Sequence, residues 1–485
     1  MALLKVLWRT VKIMFFLGNS NIRSPRFLLV RSSRWLAMAI VMTLFALPTK
    51  TLSQTFYHPG VLINQAQLDS LKKFVAAGKQ PWKDAYTEAL ASSFSSLSYV
   101  PRPFDTVDCG AFNVPNNGCT EETVDSKAAY SHALLWYLNG NKAHAQKAIQ
   151  IMNAWSAVLK THANTNAPLQ AGWGATMFPR AAEIIRYTKA GWAQADIDRF
   201  SNMLRKAYLP NMWDGSPRSN GNWDLTMIEG MMGIGVFLDS VPVFDHAVTM
   251  WRQRVPAYFY MTTDGPYPPP SPGDTTMVNK DLIITYWQGQ TTFKDGLSQE
   301  TCRDFNHTQF GIASTINAAE IARLQGVDLY GSEEKRLITA LEFHSNFMNG
   351  AAVPSWLCDG KLHLSTSPTW EIAYNHFHNR MNIALPNTLK LIGRIRPTGA
   401  TATQWMMAWE TLTHAETGGK AVLPMAPILT VGISPSRQVR PPVQGAKIVF
   451  MEGQGLLIQK TGKDGRHNWF TPAGKHFAAA VISAK

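Results

Sequence analysis

Three short segments gather residues of the types that move protons and bind anions. They are Ser219-Asn-Gly-Asn-Trp-Asp-Leu-Thr226, Glu300-Thr-Cys-Arg-Asp-Phe-Asn-His-Thr-Gln-Phe-Gly311 and Pro368-Thr-Trp-Glu-Ile-Ala-Tyr-Asn-His-Phe-His-Asn-Arg380. Each lies at or near the start of an expected helix. Helix starts carry free amide donors and the positive end of the dipole, so they favour an anionic group. Arg303 and His307 are four apart and share a face if the helix already runs there, with Asp304 and Gln309 beside them. Tyr374 and His378 are also four apart, and Glu371 precedes Tyr374 by three. Each residue has an ordinary reading too. Asn222 and Asp224 suit N-caps. A lone histidine is usually structural, and a helical tyrosine is by default a core aromatic with a tethered hydroxyl. Metal binding is disfavoured: on a helix, His376 and His378 point about 200° apart, and no zinc, phosphate-loop or serine-nucleophile motif is present.

The elements that must position these segments are helices. Apolar periodicity predicts helices over 128–138, 143–159, 179–187, 193–208, 225–238 and 244–258, then over 308–324, 332–347, 369–383 and 402–414. Gly, Asn and Pro separate most of them. Successive antiparallel pairs of this kind close into bundles, solenoids or toroids. The proline-rich run Asp264–Gly273 and the polar stretch Gly289–Cys302 interrupt the pattern as an irregular insertion. After about residue 423, Lys447–Met451 and Gly455–Gln459 look like strands, with turns at Lys463–Arg466 and Pro472–Gly474. The expected organisation is a targeting segment at 1–53, an all-α helical domain at 54–425 and a small β-like segment at 426–485.

Composition narrows the function classes. With 45% hydrophobic and 16% charged residues the 485-residue chain is neither disordered nor a small disulfide scaffold. Its 16 Trp, 13 Tyr and 23 Phe could line a sugar cleft or simply fill a large core. Of the formal charge of +13, eight positive charges and no acid lie in residues 1–53, leaving +5. That balance suits a polyanionic substrate without requiring one. No Lys/Arg run or zinc-finger spacing of the nucleic-acid type occurs.

Arg31–Arg34, the uncharged run Trp35–Leu47 and small residues before Ser53 form a secretory pattern, too short to span a bilayer. No later apolar run is long enough for a membrane span. Export, to the periplasm or the medium, permits disulfides, and the pairs Cys109–Cys119 and Cys302–Cys358 are expected. The composition leaves the oligomeric state open.

The stretches Asn220-Gly-Asn-Trp-Asp, Cys302-Arg-Asp-Phe-Asn-His-Thr-Gln-Phe-Gly and Trp370-Glu-Ile-Ala-Tyr-Asn-His resemble the alginate-lyase family of helical-toroid polysaccharide lyases. The helix order resembles the family over roughly 60–420. Some relatives carry Asn-Asn-His where this chain has Asn222 followed by Trp223. The resemblance implies an incomplete or closed α/α toroid with a cleft across one end. It also implies cleavage of a uronic-acid polymer, alginate or glucuronan, by β-elimination without a cofactor or metal. Such chemistry needs donors that neutralise the uronate carboxylate, a base for the C5 proton and an acid for the departing O4. Asn222 and Arg303 suit the first role, His307 the base and Tyr374 the acid. Trp223, Gln309, His376, Arg380 and Glu371 are expected to contact substrate.

Two other readings stand beside this one. A toroid glycoside hydrolase would need two carboxylates flanking the bond, here Asp224 and Glu371. A non-catalytic secreted polysaccharide-binding protein would keep the aromatics and dispense with Tyr374 and His307. Asn306-His-Thr308 is also a glycan acceptor sequon, and a glycan there would cover the candidate site.

Overall fold

A computed structural model of the chain describes residues 56–415 and strand residues between 446 and 477. The expected targeting segment, the boundary near 425 and the two turns expected at 463–466 and 472–474 lie outside the described residues.

Four long helices form an inner ring: α3 (Cys119–Asn139), α5 (Ala167–Tyr187), α8 (Gly221–Phe237) and α11 (Phe305–Leu324). α8 and α11 are buried along almost their whole length, so they carry no solvent-facing stripe. Between them run α4 (Lys142–Val158), α6 (Gln194–Met203) with its continuation α7 (Leu209–Met212), α9 (Val241–Arg254) and α13 (Glu334–Met348). α4, α6, α9 and α13 each bury one face and expose the other, as outer helices must. The inner helices run in one direction. Gln170 at the start of α5 donates to the Cys119 carbonyl at the start of α3 (3.1 Å), while Arg186 at the end of α5 donates to the Phe237 carbonyl at the end of α8 (2.8 Å). All four inner helix starts therefore share one end of the ring.

Shorter helices complete it: α1 (Gln65–Ala76) and α2 (Trp82–Ala91) at the beginning, α10 (Lys280–Tyr286) and α12 (Leu329–Ser332) in the connections, and α14 (Glu371–Tyr374), α15 (Pro386–Ile395) and α16 (Glu410–His414) at the end. α16 packs on α14, α1 and α2, so the α/α toroid is closed by its last helix against its first. Three short strands, β1 (Thr106–Cys109), β2 (Asn116–Asn117) and β3 (Thr161–Ala163), lie at the helix-start end in the order β2-β1-β3. Later come β4 (Ala446–Met451), β5 (Gly455–Thr461), β6 (His467–Phe470) and β7 (His476–Phe477), an antiparallel sheet in sequence order that includes both expected strands.

Two expected helices depart from the sequence pattern for reasons of ring packing. Pro179 does not open a helix but sits inside α5. Its ring packs where α8 has Gly233, whose added Cβ would lie 3.3 Å from Pro179 Cβ, so packing carries the helix across the missing donor. The segment expected to be helical over 402–414 is helical only from Glu410. Its carbonyls are taken by the ring instead. Lys127 of α3 donates to the Thr401 and Gln404 carbonyls, and Arg180 of α5 to the Met406 carbonyl at 3.1 Å. Trp409 turns left-handed (φ 61°) and donates from Nε1 to Ser131 at 2.8 Å. Side chains of two inner helices thus override the local helical period.

Fully buried Glu410 follows this segment, its Oε2 accepting from the Glu371 amide at 3.1 Å. Burial, reinforced by the charge of Glu371 and opposed by a hydrogen bond from Thr369, pushes its carboxyl up to about 8 from an ordinary 4.5. The folded state then holds this proton over a pH range in which the unfolded chain has lost it. The stability it contributes is full below about pH 4.5 and is lost as pH rises to about 8. Glu410→Gln should therefore gain on the wild type as pH rises from 5 to 8 in paired thermal melts. A melting difference that stays constant over that range contradicts this.

Both expected disulfides are formed, Cys109–Cys119 and Cys302–Cys358. The second closes a loop with a sequence separation of 56. Removing it with Cys302→Ser and Cys358→Ser should cost about 4 kcal/mol by loop-closure entropy, read in denaturant titration. An unchanged midpoint contradicts the estimate.

Candidate active site

Two inner-helix starts hold the charged residues singled out in the sequence. α8 begins beyond Asn220, whose Oδ1 accepts from Gln288 and Gln299, each at 3.0 Å. α11 begins beyond Asp304, an N-cap whose Oδ1 accepts from the His307 amide at 2.8 Å. The same carboxylate lies 2.9 and 2.7 Å from His307 Nδ1. Burial raises the Asp304 carboxyl, but the His307 hydrogen bonds and the charges of His307 and Arg303 carry it below the usual carboxylate range. The cap thus fixes the imidazole through Nδ1, leaving Nε2 without a partner among the described residues. The His307 side chain is 30% exposed and that of Arg303 32%, in a region whose neighbours are otherwise mostly buried.

Beneath this rim lies Glu300, whose carboxylate is fully buried. It accepts from Asn222 Nδ2 at 2.8 Å on each oxygen, from Arg303 Nη1 at 2.8 Å and from the Tyr258 hydroxyl at 3.0 Å. Burial and the Glu300 charge hold the Tyr258 phenol far above its ordinary range, so it remains a donor. Asn222 differs from expectation here. A carboxylate only accepts, so it turns the side-chain NH2 group of Asn222 inward, toward Glu300. Asn222 is 1% exposed, whereas the guanidinium of Arg303 keeps its second amino group, Nη2, without a partner among the described residues.

Aromatic rings adjoin His307. Its ring meets Phe310 edge-on at 5.6 Å, Phe310 meets Trp405 at 5.0 Å, and Trp405 stacks on Trp173 at 4.1 Å. Trp223 packs against the same cluster. Trp223 and Trp405 are half-buried, a platform on which an apolar sugar face can rest. Trp405 belongs to the segment anchored by Lys127 and Arg180, and no sequence motif marks it. Glu300 opens the second motif segment but has no role assigned from sequence, and Tyr258 lies outside all three segments.

Asn222, Trp223, Arg303 and His307 are thus brought together at one end of the ring, while the other expected residues are closed off by partners in the interior. Gln309 is fully buried, with its oxygen accepting from the Ser367 amide (2.9 Å) and its nitrogen donating to the Phe305 and Ser365 carbonyls (2.7 and 3.1 Å). Arg380 makes two bonds to buried Glu320, at 2.9 and 3.0 Å, and His376 stacks on Tyr330 at 3.7 Å. Glu320 is thirteen residues beyond His307 in α11, about 20 Å along the helix. Tyr374 lies between these levels. α11 and the segment containing α14 run side by side, with Gln309 beside Ser367 and Glu320 beside Arg380. Tyr374 is 3% exposed, within the hydrophobic core, and stacks on His378 at 4.7 Å. From Asn375 to Arg380 the backbone is a π-helix and not the α-helix expected there.

The carboxylates a hydrolase would need are both enclosed. Glu371 receives two bonds from Arg396, at 2.6 and 2.8 Å, and one from Thr411 at 2.9 Å. Asp224 pairs with Arg254 at 3.2 Å and accepts from the Ser216 amide at 2.6 Å. Glu371 is 1% exposed and Asp224 5%, each held by an arginine. Among the described residues no group of three or more His, Cys, Asp or Glu could hold a metal ion, and no helix is long and apolar enough to cross a membrane.

Residues 107–268 match the family model described as alginate lyase. Over this segment the chain is similar to the alginate lyases. The segment runs from β1 through α8 to the proline-rich connection, and so includes Asn222 and Trp223. The match agrees with the enzyme class expected from the motifs, a polysaccharide lyase. No curated protein matches the chain. Among solved structures, the alginate lyase A1-III from Sphingomonas species A1 is similar over 75% of this chain and 97% of its own, with 13% identity and a TM-score of 0.51. A variant of alginate lyase A1-III complexed with a tetrasaccharide is similar over 74% and 96%, with 13% identity and a TM-score of 0.50. At that identity the likeness is one of fold alone, the shared toroid.

Proposed function

We propose that this chain is an exported lyase that cleaves a uronic-acid polymer, alginate foremost and glucuronan as the second candidate, by β-elimination. The observation that carries this reading is the Asp304–His307 dyad beside the free edge of Arg303, at the helix-start end of a toroid whose 107–268 segment matches the alginate lyases. Arg303 meets the uronate carboxylate and stabilises the charge that develops when the C5 proton leaves. His307, held through Nδ1 by Asp304, takes that proton at Nε2 in its neutral form. The C4–O4 bond then breaks as the C4–C5 double bond forms. The departing O4 takes a proton, which protonated His307 can return when base and leaving group lie on the same face of the ring. Trp223 and Trp405 support the sugar ring. The two disulfides suit an oxidising compartment outside the cytoplasm.

The test is a panel of polymannuronate, polyguluronate and glucuronan, read by the near-ultraviolet absorbance of the unsaturated product. Absence of that product from all three, with binding retained, would favour a binding protein. Saccharide release without the absorbance would favour hydrolysis.

Tyr374 gives a sharper test of who supplies the acid. Its ring lies below the rim, so Tyr374→Phe should leave turnover within about threefold of wild type, well short of a general-acid loss. A fall of about 10²-fold in a folded variant would make Tyr374 the acid and require the cleft to open as far as its hydroxyl.

A further inference from the structure

We infer that Glu300 is a positioning residue for elimination, acting on substrate only through Arg303, which it fixes against the start of α8 by way of Asn222. This rests on the lyase reading above and adds to it a residue outside the proposed proton-transfer and sugar contacts. The geometry is that of a buried acceptor with donors arriving from three separate elements. Asn222 comes from the first turn of α8, with both its side-chain amide and its backbone N–H (3.2 Å) on Glu300. Arg303 comes from the turn before α11, and Tyr258 from just beyond α9. One carboxylate therefore ties the starts of two ring helices to each other and sets the direction of the guanidinium.

The glycines of the two motifs make room for this arrangement. A Cβ on Gly221 would lie 2.2 Å from Tyr258 Cδ2, and a Cβ on Gly311 would lie 2.2 Å from its hydroxyl oxygen. Glycine at both positions lets the Tyr258 ring pass between α8 and α11 and reach Glu300. Without Glu300, the inward Asn222 amide would lose its acceptor and Arg303 would lose the partner that turns its other edge outward. Misplacing such a group by about 1 Å can cost on the order of 10²-fold in rate.

The test is Glu300→Gln, which keeps the shape but replaces one acceptor oxygen with a donor facing other donors. In folded protein kcat should fall at least tenfold. In the Asn222→Ala, Arg303→Ala background the same change should cost less than twofold. That non-additivity is what a positioning role requires and a merely structural one does not produce. A folded Glu300→Gln enzyme with kcat within twofold of wild type overturns the inference, as does a loss that persists undiminished in that background. If Glu300→Gln does not fold, Tyr258→Phe removes one of the donors that fix Glu300. A fall in kcat of about fivefold or more, again absent from the double-variant background, supports the inference, and a smaller or fully additive change overturns it. A wild-type chain inactive on every uronan is a different result: it sinks the lyase reading and this inference with it.

Discussion

His307→Ala is expected to reduce kcat on the preferred uronan by about 10²- to 10⁴-fold, the range of a lost general base, with KM close to wild type. Three features combine at this position. The ring is anchored through Nδ1 by a carboxylate that also caps α11, so its orientation depends on backbone already fixed by the helix start. Its side chain is 30% exposed, open enough to meet a substrate. It also adjoins the aromatic cluster of Phe310, Trp405 and Trp173, which can hold a sugar in place. The measurement is the initial rate of unsaturated-product absorbance, with circular dichroism to establish folding. A folded His307→Ala enzyme within tenfold of wild type on all three polymers would remove the dyad from the mechanism.

Arg303→Ala should lower kcat/KM by about 10²- to 10³-fold, the scale of removing one donor from a developing oxyanion. The loss should appear mainly in kcat, because carboxylate charge delocalises most in the transition state. Arg303→Lys should recover only part of it. Lysine restores a point charge but cannot bond Glu300 on one edge and present a planar amino group on the other. Full recovery by lysine would mean that charge alone matters and the two-edged geometry does not. Wild-type kcat in Arg303→Ala would leave the uronate carboxylate without its proposed partner.

Much of the architecture was legible in the residues. The 3.6-residue apolar period placed the helices of the ring, because a helix packed between others must be apolar where it meets them. Gly and Asn stops were local signals, and local signals survive folding. The position of His307 and Arg303 near a helix start was legible because their polar segment leads straight into an apolar helical run, but their i, i+4 spacing is not a shared helix face, since α11 begins only at Phe305. Misreadings arose where a distant group outcompeted the local pattern. Residues 402–409 have a helical period, yet Lys127 and Arg180 take their carbonyls. Pro179 reads as a helix start, yet the ring packing against Gly233 runs the helix through it.

The sequence by itself determined the class of fold, the disulfide framework and the side chains that can carry proton transfer beside a fixed cation. Only the tertiary structure decided which polar residues share a site. Gln309, Glu371, His376 and Arg380 have the same chemistry as the rim residues, but each is closed by partners in the ring interior: Ser367, Arg396, Tyr330 and Glu320. Depth along α11 separates Arg380 from His307, and no spacing rule records depth across elements. Glu300 shows the converse. It stands one turn before Arg303 in the chain, but its role follows from Asn222 and Tyr258, 78 and 42 residues away in sequence and 2.8 and 3.0 Å away in space. A buried carboxylate must find donors to remain in the interior, and which donors meet it is settled by how the ring closes.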